Sequence, residues 1–128
     1  KYFDNYWIQN FNKDQNIPLE EESIDYCLMI AGWQYLQYPE NISMEISRIL
    51  KNNGKFIIAF SNRAFWNKAP NIWTYSDENQ RVDYVRSILI SNGFKEPRII
   101  KKFVSNNLKI FPFFNHDPFY CLIAQKKK

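Results

Sequence analysis

Glycine is scarce in this sequence. Its three glycines, Gly32, Gly54 and Gly93, lie far apart, so no loop gathers several of them to cradle a phosphate. Cysteine is limited to Cys27 and Cys121, too few for a disulfide framework and without metal-ligand spacing. Both sit in apolar runs, where a free cysteine acts as a small hydrophobe. A reducing, cytoplasmic interior is therefore the expected setting. His116 is the single histidine. Its place before Asp117-Pro118 reads as structural rather than as that of a general base. No apolar run approaches the ~20 residues of a membrane span, and no signal-peptide pattern is seen. The first residue is Lys1 rather than Met, so further residues upstream are expected.

What is present suits a globular core. The 128 residues are enough for one domain spanning 1–128 and not for two. Aromatic residues make up 18% of the chain, many of them Phe and Tyr, which favour strands and pockets. The formal charge is +4, and Lys126 to Lys128 account for much of the excess. That tail is expected to be solvated and to fray.

Two continuous apolar runs of strand length stand out, Tyr26 to Ile30 and Lys55 to Phe60. Such runs suit strands covered on both faces, as in a parallel sheet. Between them, Pro39-Glu40-Asn41 predicts a helix start. Ile42, Ile46, Ile49 and Leu50 share one helical face, and Asn53-Gly54 predicts its stop. Ser76 predicts the N-cap of a second helix with Val82, Val85, Ile88 and Leu89 as its apolar stripe. Further strands are expected at Tyr6-Trp7-Ile8, Pro97 to Val104 and Phe119 to Ala124, with a loop or short strand at Phe111 to Phe114. Ser61 to Tyr75 is a long aromatic connection. Phe65-Trp66 to Trp73-Tyr75 suits either a lid over an acceptor site or a packed cover on the sheet, the second being preferred. The alternation implies an α/β fold, a three-layer sandwich with a mostly parallel sheet and a C-terminal antiparallel strand pair.

The order of motifs resembles the class I S-adenosylmethionine-dependent methyltransferases, and among them the small "type 11" group. Ile17-Pro18-Leu19-Glu20-Glu21-Glu22-Ser23-Ile24-Asp25 is similar to the acidic segment before that family's fourth strand. Ala31-Gly32-Trp33-Gln34-Tyr35-Leu36 resembles the segment that follows it. Glu45 to Gly54 resembles the helix end and turn before the fifth strand, with Asn-Asn-Gly in place of Pro-Gly-Gly. Phe60-Ser61-Asn62-Arg63 and Asp117-Pro118-Phe119-Tyr120 extend the match, which covers about Asp4 to Gln125. An acid that usually meets the adenine amino group is replaced by Asn10, which can still accept through its amide oxygen.

The resemblance implies a Rossmann-like methyltransferase sheet of order 3-2-1-4-5-7-6, here incomplete because its first strands are missing. It implies S-adenosylmethionine as cofactor and an unknown small-molecule acceptor. Methyl transfer is an in-line displacement at a sulfonium, and alignment supplies much of its rate. Asn10 and Phe11 would flank the adenine. Ala31 and Gly32 would bring backbone near the methionine portion, and Gln34 and Tyr35 would face the reactive end. The bland reading keeps Phe11 and Tyr35 as core or edge aromatics and Gln34 as a helix cap. No catalytic side chain is identified. The glycine-rich loop of the family is absent, so these residues alone are expected to be inactive.

Without its first strands the sheet would expose the edge of Tyr26 to Ile30, a template for pairing. Three situations are expected to resolve this: a longer gene product, further upstream residues, or a homodimer through that edge with residues 1–16 displaced. The alternative function is a non-catalytic module that self-associates there. Arg63, Lys68 and nearby rings weakly resemble a nucleic-acid surface. The acidic Glu20-Glu21-Glu22 run and modest charge argue against it.

Overall fold

The two apolar runs become neighbouring parallel strands. In the computed structural model, which describes residues 2–61, 67–103 and 118–127, they are β1 (Ile24–Ile30) and β2 (Leu50–Ser61). A 3₁₀ turn (Trp33–Tyr35) and α1 (Pro39–Ile49) connect them. The chain continues through α2 (Asn71–Thr74), α3 (Glu78–Ser91), β3 (Arg98–Phe103) and β4 (Pro118–Gln125).

The four strands form one open sheet in the order β1-β2-β4-β3. β1 and β2 are parallel, while β4 is antiparallel to both β2 and β3. Three strands thus share one direction, and β4, last in the chain, is inserted against them. This is the mostly parallel sheet with an antiparallel C-terminal pair that the sequence predicts.

Register decides which side chains share a face. Cys27 lies beside Phe56 and Met29 beside Ile58. Phe56, Ile58 and Phe60 lie beside Ala124, Leu122 and Tyr120. This face is closed by Ile42, Ile46 and Ile49 of α1 and by Val82, Val85, Ile88 and Leu89 of α3. Both helices present their apolar stripe at the predicted spacing. Aromatic rings run through the core. Phe56 is 6.4 Å from Trp33 and 5.8 Å from Phe94, and Phe60 stacks on Tyr120 at 5.4 Å.

The opposite face carries Tyr26, Leu28, Ile30, Ile57, Ala59, Cys121 and Ile123 in register. On this side Ala59 is buried, Ile57, Cys121 and Ile123 are half-buried, and Tyr26, Leu28 and Ile30 are exposed. Two layers of the expected sandwich, helices and sheet, are built here.

Several local expectations are corrected. Tyr6-Trp7-Ile8 pairs with no strand among the described residues. α1 ends at Ile49, before Asn53-Gly54. Ile24 pairs with Leu50 and Tyr26 with Lys55, so residues 51–54 bulge opposite Asp25. Asn53 takes the left-handed conformation there, with φ of 65°. The N-cap of α3 is Asp77, not Ser76, because Asp77 and Gln80 form a reciprocal capping box. The lysine tail does not fray at its start. Lys126 N–H donates to Gly54 at 2.9 Å, Lys127 N–H to Gly93 at 2.9 Å, and Lys126 Nζ to the Leu50 carbonyl at 2.7 Å.

Within the aromatic connection, Trp73 is buried and meets Phe60 edge-on at 5.0 Å. Arg81 Nε donates to the Trp73 carbonyl at 3.0 Å, and its guanidinium sits 5.3 Å from the Trp73 ring. This part of the segment is a packed cover. Asn62, Arg63, Phe65-Trp66, Phe111 to Phe114, His116 and Asp117 lie outside the described residues.

Candidate functional site

The C-terminal ends of parallel strands are where open α/β sheets bind ligands. β1 ends at Ile30, and the chain turns at once. Ala31, at φ of 54°, takes the left-handed conformation, and its N–H donates to the Ala59 carbonyl at 2.8 Å. Gly32, expected to make the turn, has an ordinary φ of −116° and opens the 3₁₀ turn. Its carbonyl accepts from Tyr35 N–H at 3.1 Å.

Residues 9–17 form a second wall. Asn10 is exposed; its side-chain oxygen accepts from Asn12 N–H at 3.0 Å, and its carbonyl accepts from the N–H groups of Lys13 and Asp14 at 3.0 Å. These bonds coil the loop. Gln9 Nε2 closes it by donating to the carbonyls of Asp14 and Asn16, at 2.9 and 2.6 Å. Phe11 is half-buried against the core.

Asn12 ties the two walls together. Its Nδ2 donates to the Tyr35 carbonyl at 3.0 Å, and its Oδ1 accepts from Gln37 N–H at 2.9 Å. A second anchor holds the loop's far end. Glu45 accepts from Ile17 N–H at 2.8 Å, while Arg48 donates to both Glu45 oxygens at 2.9 Å and to the Ile17 carbonyl at 3.0 Å. The hydrogen bond from Arg48, offset in part by burial, holds the Glu45 carboxyl below the usual carboxylate range.

The structure ties the loop that carries Asn10 and Phe11 to the 3₁₀ turn that follows Ala31 and Gly32, through the Asn12–Tyr35 bond. Gln34, within that turn, is buried at 3% exposure. Asn12 and Trp7 are the contributors that residue type alone did not single out. The signal for Asn12 was its place in Asn10-Phe11-Asn12. Trp7, Phe11, Tyr26, Leu28, Ile30 and Ile42 are among the residues lining an apolar groove of about 470 Å3 beside β1. Cys27 borders it too, but burial pushes its thiol up to about 11, so it is no ready nucleophile.

The glycines separate by cause. At Gly54 a Cβ would come within 2.8 Å of the Lys51 carbonyl oxygen, and at Gly93 within 2.7 Å of Ser47 Oγ at a φ of +98°. Packing requires both. At Gly32 the nearest atom would be Met29 Cγ at 3.3 Å, a milder crowding that a shift of the Met29 side chain would relieve.

Residues 8–58 match the family model described as a methyltransferase domain. The sheet order corresponds to that family's strands four, five, seven and six. The chain has a class I methyltransferase fold. A solved S-adenosylmethionine-dependent methyltransferase from Thermotoga maritima, described as a possible histamine N-methyltransferase, superposes with a TM-score of 0.60 at 21% identity, over 89% of this chain and 60% of that one. The phosphoethanolamine N-methyltransferase 2 of Haemonchus contortus, solved with phosphomonomethylethanolamine and S-adenosylhomocysteine, gives a TM-score of 0.55 at 15% identity, over 86% of this chain and 35% of that one. The [4+2]-cyclase SpnF gives 0.59 at 12% identity, over 88% and 53%. The methyltransferase-fold segment here thus spans well under two thirds of each of these relatives. No curated protein sequence matches it.

Proposed function

We propose that this chain is part of an S-adenosylmethionine-dependent methyltransferase acting on a small molecule. In this reading it supplies the adenine and methionine side of the cofactor pocket. The observation that carries the reading is the Asn12 clip, which joins the loop of Asn10 and Phe11 to the turn that Gly32 opens after β1. Phe11 offers an apolar surface for the adenine, and Asn10 an amide beside it. Asn12 ties their loop to the carbonyl of Tyr35, in the turn that follows Ala31 and Gly32, where the methionine portion would lie. The bound cofactor would supply a methyl group on a cationic sulfonium. The chain's residues would bind and orient it and keep water off the groove side.

The cofactor product S-adenosylhomocysteine is the test. Amide resonances of Asn10, Phe11, Ala31 and Gly32 should shift together on titration, with millimolar affinity for these residues alone. Unmoved resonances at millimolar ligand would overturn the reading.

A second reading is a non-catalytic, self-associating module, favoured by the place of β1 at the sheet edge among the described residues. A dimeric mass by sedimentation, with no response to S-adenosylhomocysteine, would select it.

A further inference from the structure

Both Asn-Gly pairs of the sequence, Asn53-Gly54 and Asn92-Gly93, meet the C-terminal end of the chain. Lys126 N–H donates to the Gly54 carbonyl and Lys127 N–H to the Gly93 carbonyl, each at 2.9 Å. Consecutive amides thus reach to opposite sides, one to the bulge of β2 and the other to the end of α3. Further bonds fix this strap. Lys95 N–H donates to the Gln125 carbonyl at 2.9 Å, Phe94 and Lys126 form an antiparallel bridge, and Lys126 Nζ donates to the Leu50 carbonyl at 2.7 Å. The two asparagine side chains are held unequally. Asn92 is half-buried, and its Nδ2 donates to the Ile88 carbonyl at 2.7 Å. Asn53 is exposed, and its Oδ1 accepts from Gln125 Nε2 at 3.2 Å.

We propose that Asn53 and Asn92 are sites of spontaneous deamidation, gated by this C-terminal strap. In the reaction the backbone nitrogen of the following glycine attacks the asparagine Cγ. A bond forms between them, and the bond from Cγ to the side-chain nitrogen breaks. The proton of the glycine nitrogen goes to that leaving group, which departs as ammonia. Water then opens the cyclic imide at either carbonyl, giving aspartate or isoaspartate. Nothing is oxidised or reduced. Glycine favours the attack because it has no side chain to crowd the ring. Closing the ring requires the glycine nitrogen to swing towards the asparagine side chain, and the closed strap resists that movement. It anchors each glycine by its carbonyl in a tight place. A Cβ at Gly54 would lie 2.8 Å from the Lys51 carbonyl oxygen, and one at Gly93 2.7 Å from Ser47 Oγ. Chain ends open at low cost, and an open strap frees both glycines. Isoaspartate adds a carbon to the main chain beside the anchor, so the strap no longer reaches both carbonyls together. The modification makes an opening of the strap permanent. Asn53 reacts first, because its side chain is exposed and held by the longer bond. Asn92 follows, because its leaving nitrogen is tied to Ile88. The inference does not rest on the cofactor reading.

The test ages the intact chain in mildly alkaline buffer and maps its peptides by mass spectrometry, which reads the change from amide to acid. Conversion should appear at Asn53 first and then at Asn92, ahead of the asparagines that no glycine follows. Both should convert about tenfold or more slowly in the folded chain than in urea, with the larger ratio at Asn92. Amide exchange at Lys126 and Lys127 should be faster in the aged chain than in the fresh one. Two variants locate the gate. Lys126→Pro removes the amide that bonds Gly54, and Lys127→Pro the amide that bonds Gly93. Each should speed its own asparagine about threefold or more, and the other less. Circular dichroism shows whether each variant is folded. Lys126→Ala keeps every backbone amide, loses the Nζ bond to Leu50, and takes the place of Lys126→Pro if that variant is unfolded; it too should speed Asn53. The inference is overturned if Asn53 and Asn92 convert no faster than the other asparagines. Equal rates in the folded chain and in urea would overturn the gate, as would folded strap variants with both rates unchanged. Asn92 converting before Asn53 would overturn the assigned order.

Discussion

The side-chain amide of Asn12 donates to the carbonyl of Tyr35 at 3.0 Å, joining the loop of residues 9–17 to the 3₁₀ turn after β1. Because Oδ1 of the same side chain accepts from Gln37 N–H, one residue uses both halves of its amide to join two segments distant in sequence. An aspartate keeps the shape but has no donor. Asn12→Asp should lose the Tyr35 bond and set a charged oxygen near a carbonyl, at a cost of about 1–3 kcal/mol. Urea denaturation reads this directly, and an unchanged midpoint would show that the clip contributes nothing.

Gly32 and Gly54 should respond unequally to the same substitution. Gly54→Ala forces a Cβ against the Lys51 carbonyl and should destabilise by about 1–3 kcal/mol. Gly32→Ala crowds the Met29 side chain at 3.3 Å, a milder contact, and should lower the melting temperature less than Gly54→Ala does. It should nevertheless weaken S-adenosylhomocysteine binding by about tenfold, as a methyl group crowds the proposed place of the methionine portion. If Gly32→Ala destabilised as much as Gly54→Ala, the reading of Gly32 as the less crowded position would fail.

Ala31 is in the left-handed conformation with a Cβ that disfavours it. Relieving that contact is worth about 1 kcal/mol, partly offset by the greater chain entropy of glycine. Ala31→Gly should therefore raise stability slightly in thermal unfolding. A clear loss would mean that the alanine methyl group makes packing contacts that outweigh its strain.

Glu45 gives the fold a dependence on acid. Its pKa in the folded chain is lowered, first by the hydrogen bond from Arg48 and further by the Ile17 N–H. A depressed carboxyl contributes stability that is fully present above its unfolded pKa and is lost as pH falls through the folded value. The loop of residues 9–17 should thus loosen through and below the ordinary carboxylate range. Glu45→Gln should flatten that part of the stability–pH profile, which unfolding measurements from neutral to strongly acidic pH would show. A profile identical to that of the unsubstituted chain would mean the pair is unimportant.

Much of this fold was legible in one dimension. Tyr26 to Ile30 and Lys55 to Phe60 announced parallel strands because continuous apolar runs have few other uses at that length. The stripes of α1 and α3 were read correctly because helical spacing survives any detail of their ends. The ends themselves were not legible. Ser76 and Asp77 are both good caps, and only the reciprocal bond with Gln80 chooses between them. Asn53-Gly54 looks like a helix stop, yet it is a bulge in β2, because pairing between Leu50 and Ile24 starts before it. At the site, motif order points to Asn10, Phe11, Ala31, Gly32 and Tyr35, and the Asn12 clip links the loop of the first two to the turn holding the others. Gln34 is buried instead, since a 3₁₀ turn points successive side chains in directions that spacing alone does not reveal.

The sequence by itself determined the strands, the helices and their order, because periodicity and turn chemistry are local. It also determined that no glycine-rich loop is present. Only the tertiary structure decided what each glycine is for, since that depends on which atoms stand opposite it. It decided too that, among the described residues, β1 is an edge strand whose Tyr26, Leu28 and Ile30 side chains are exposed. The apolar run that reads as a fully covered strand is half uncovered among the described residues. A sequence records that a side chain is apolar; what covers it depends on the elements that fold against it.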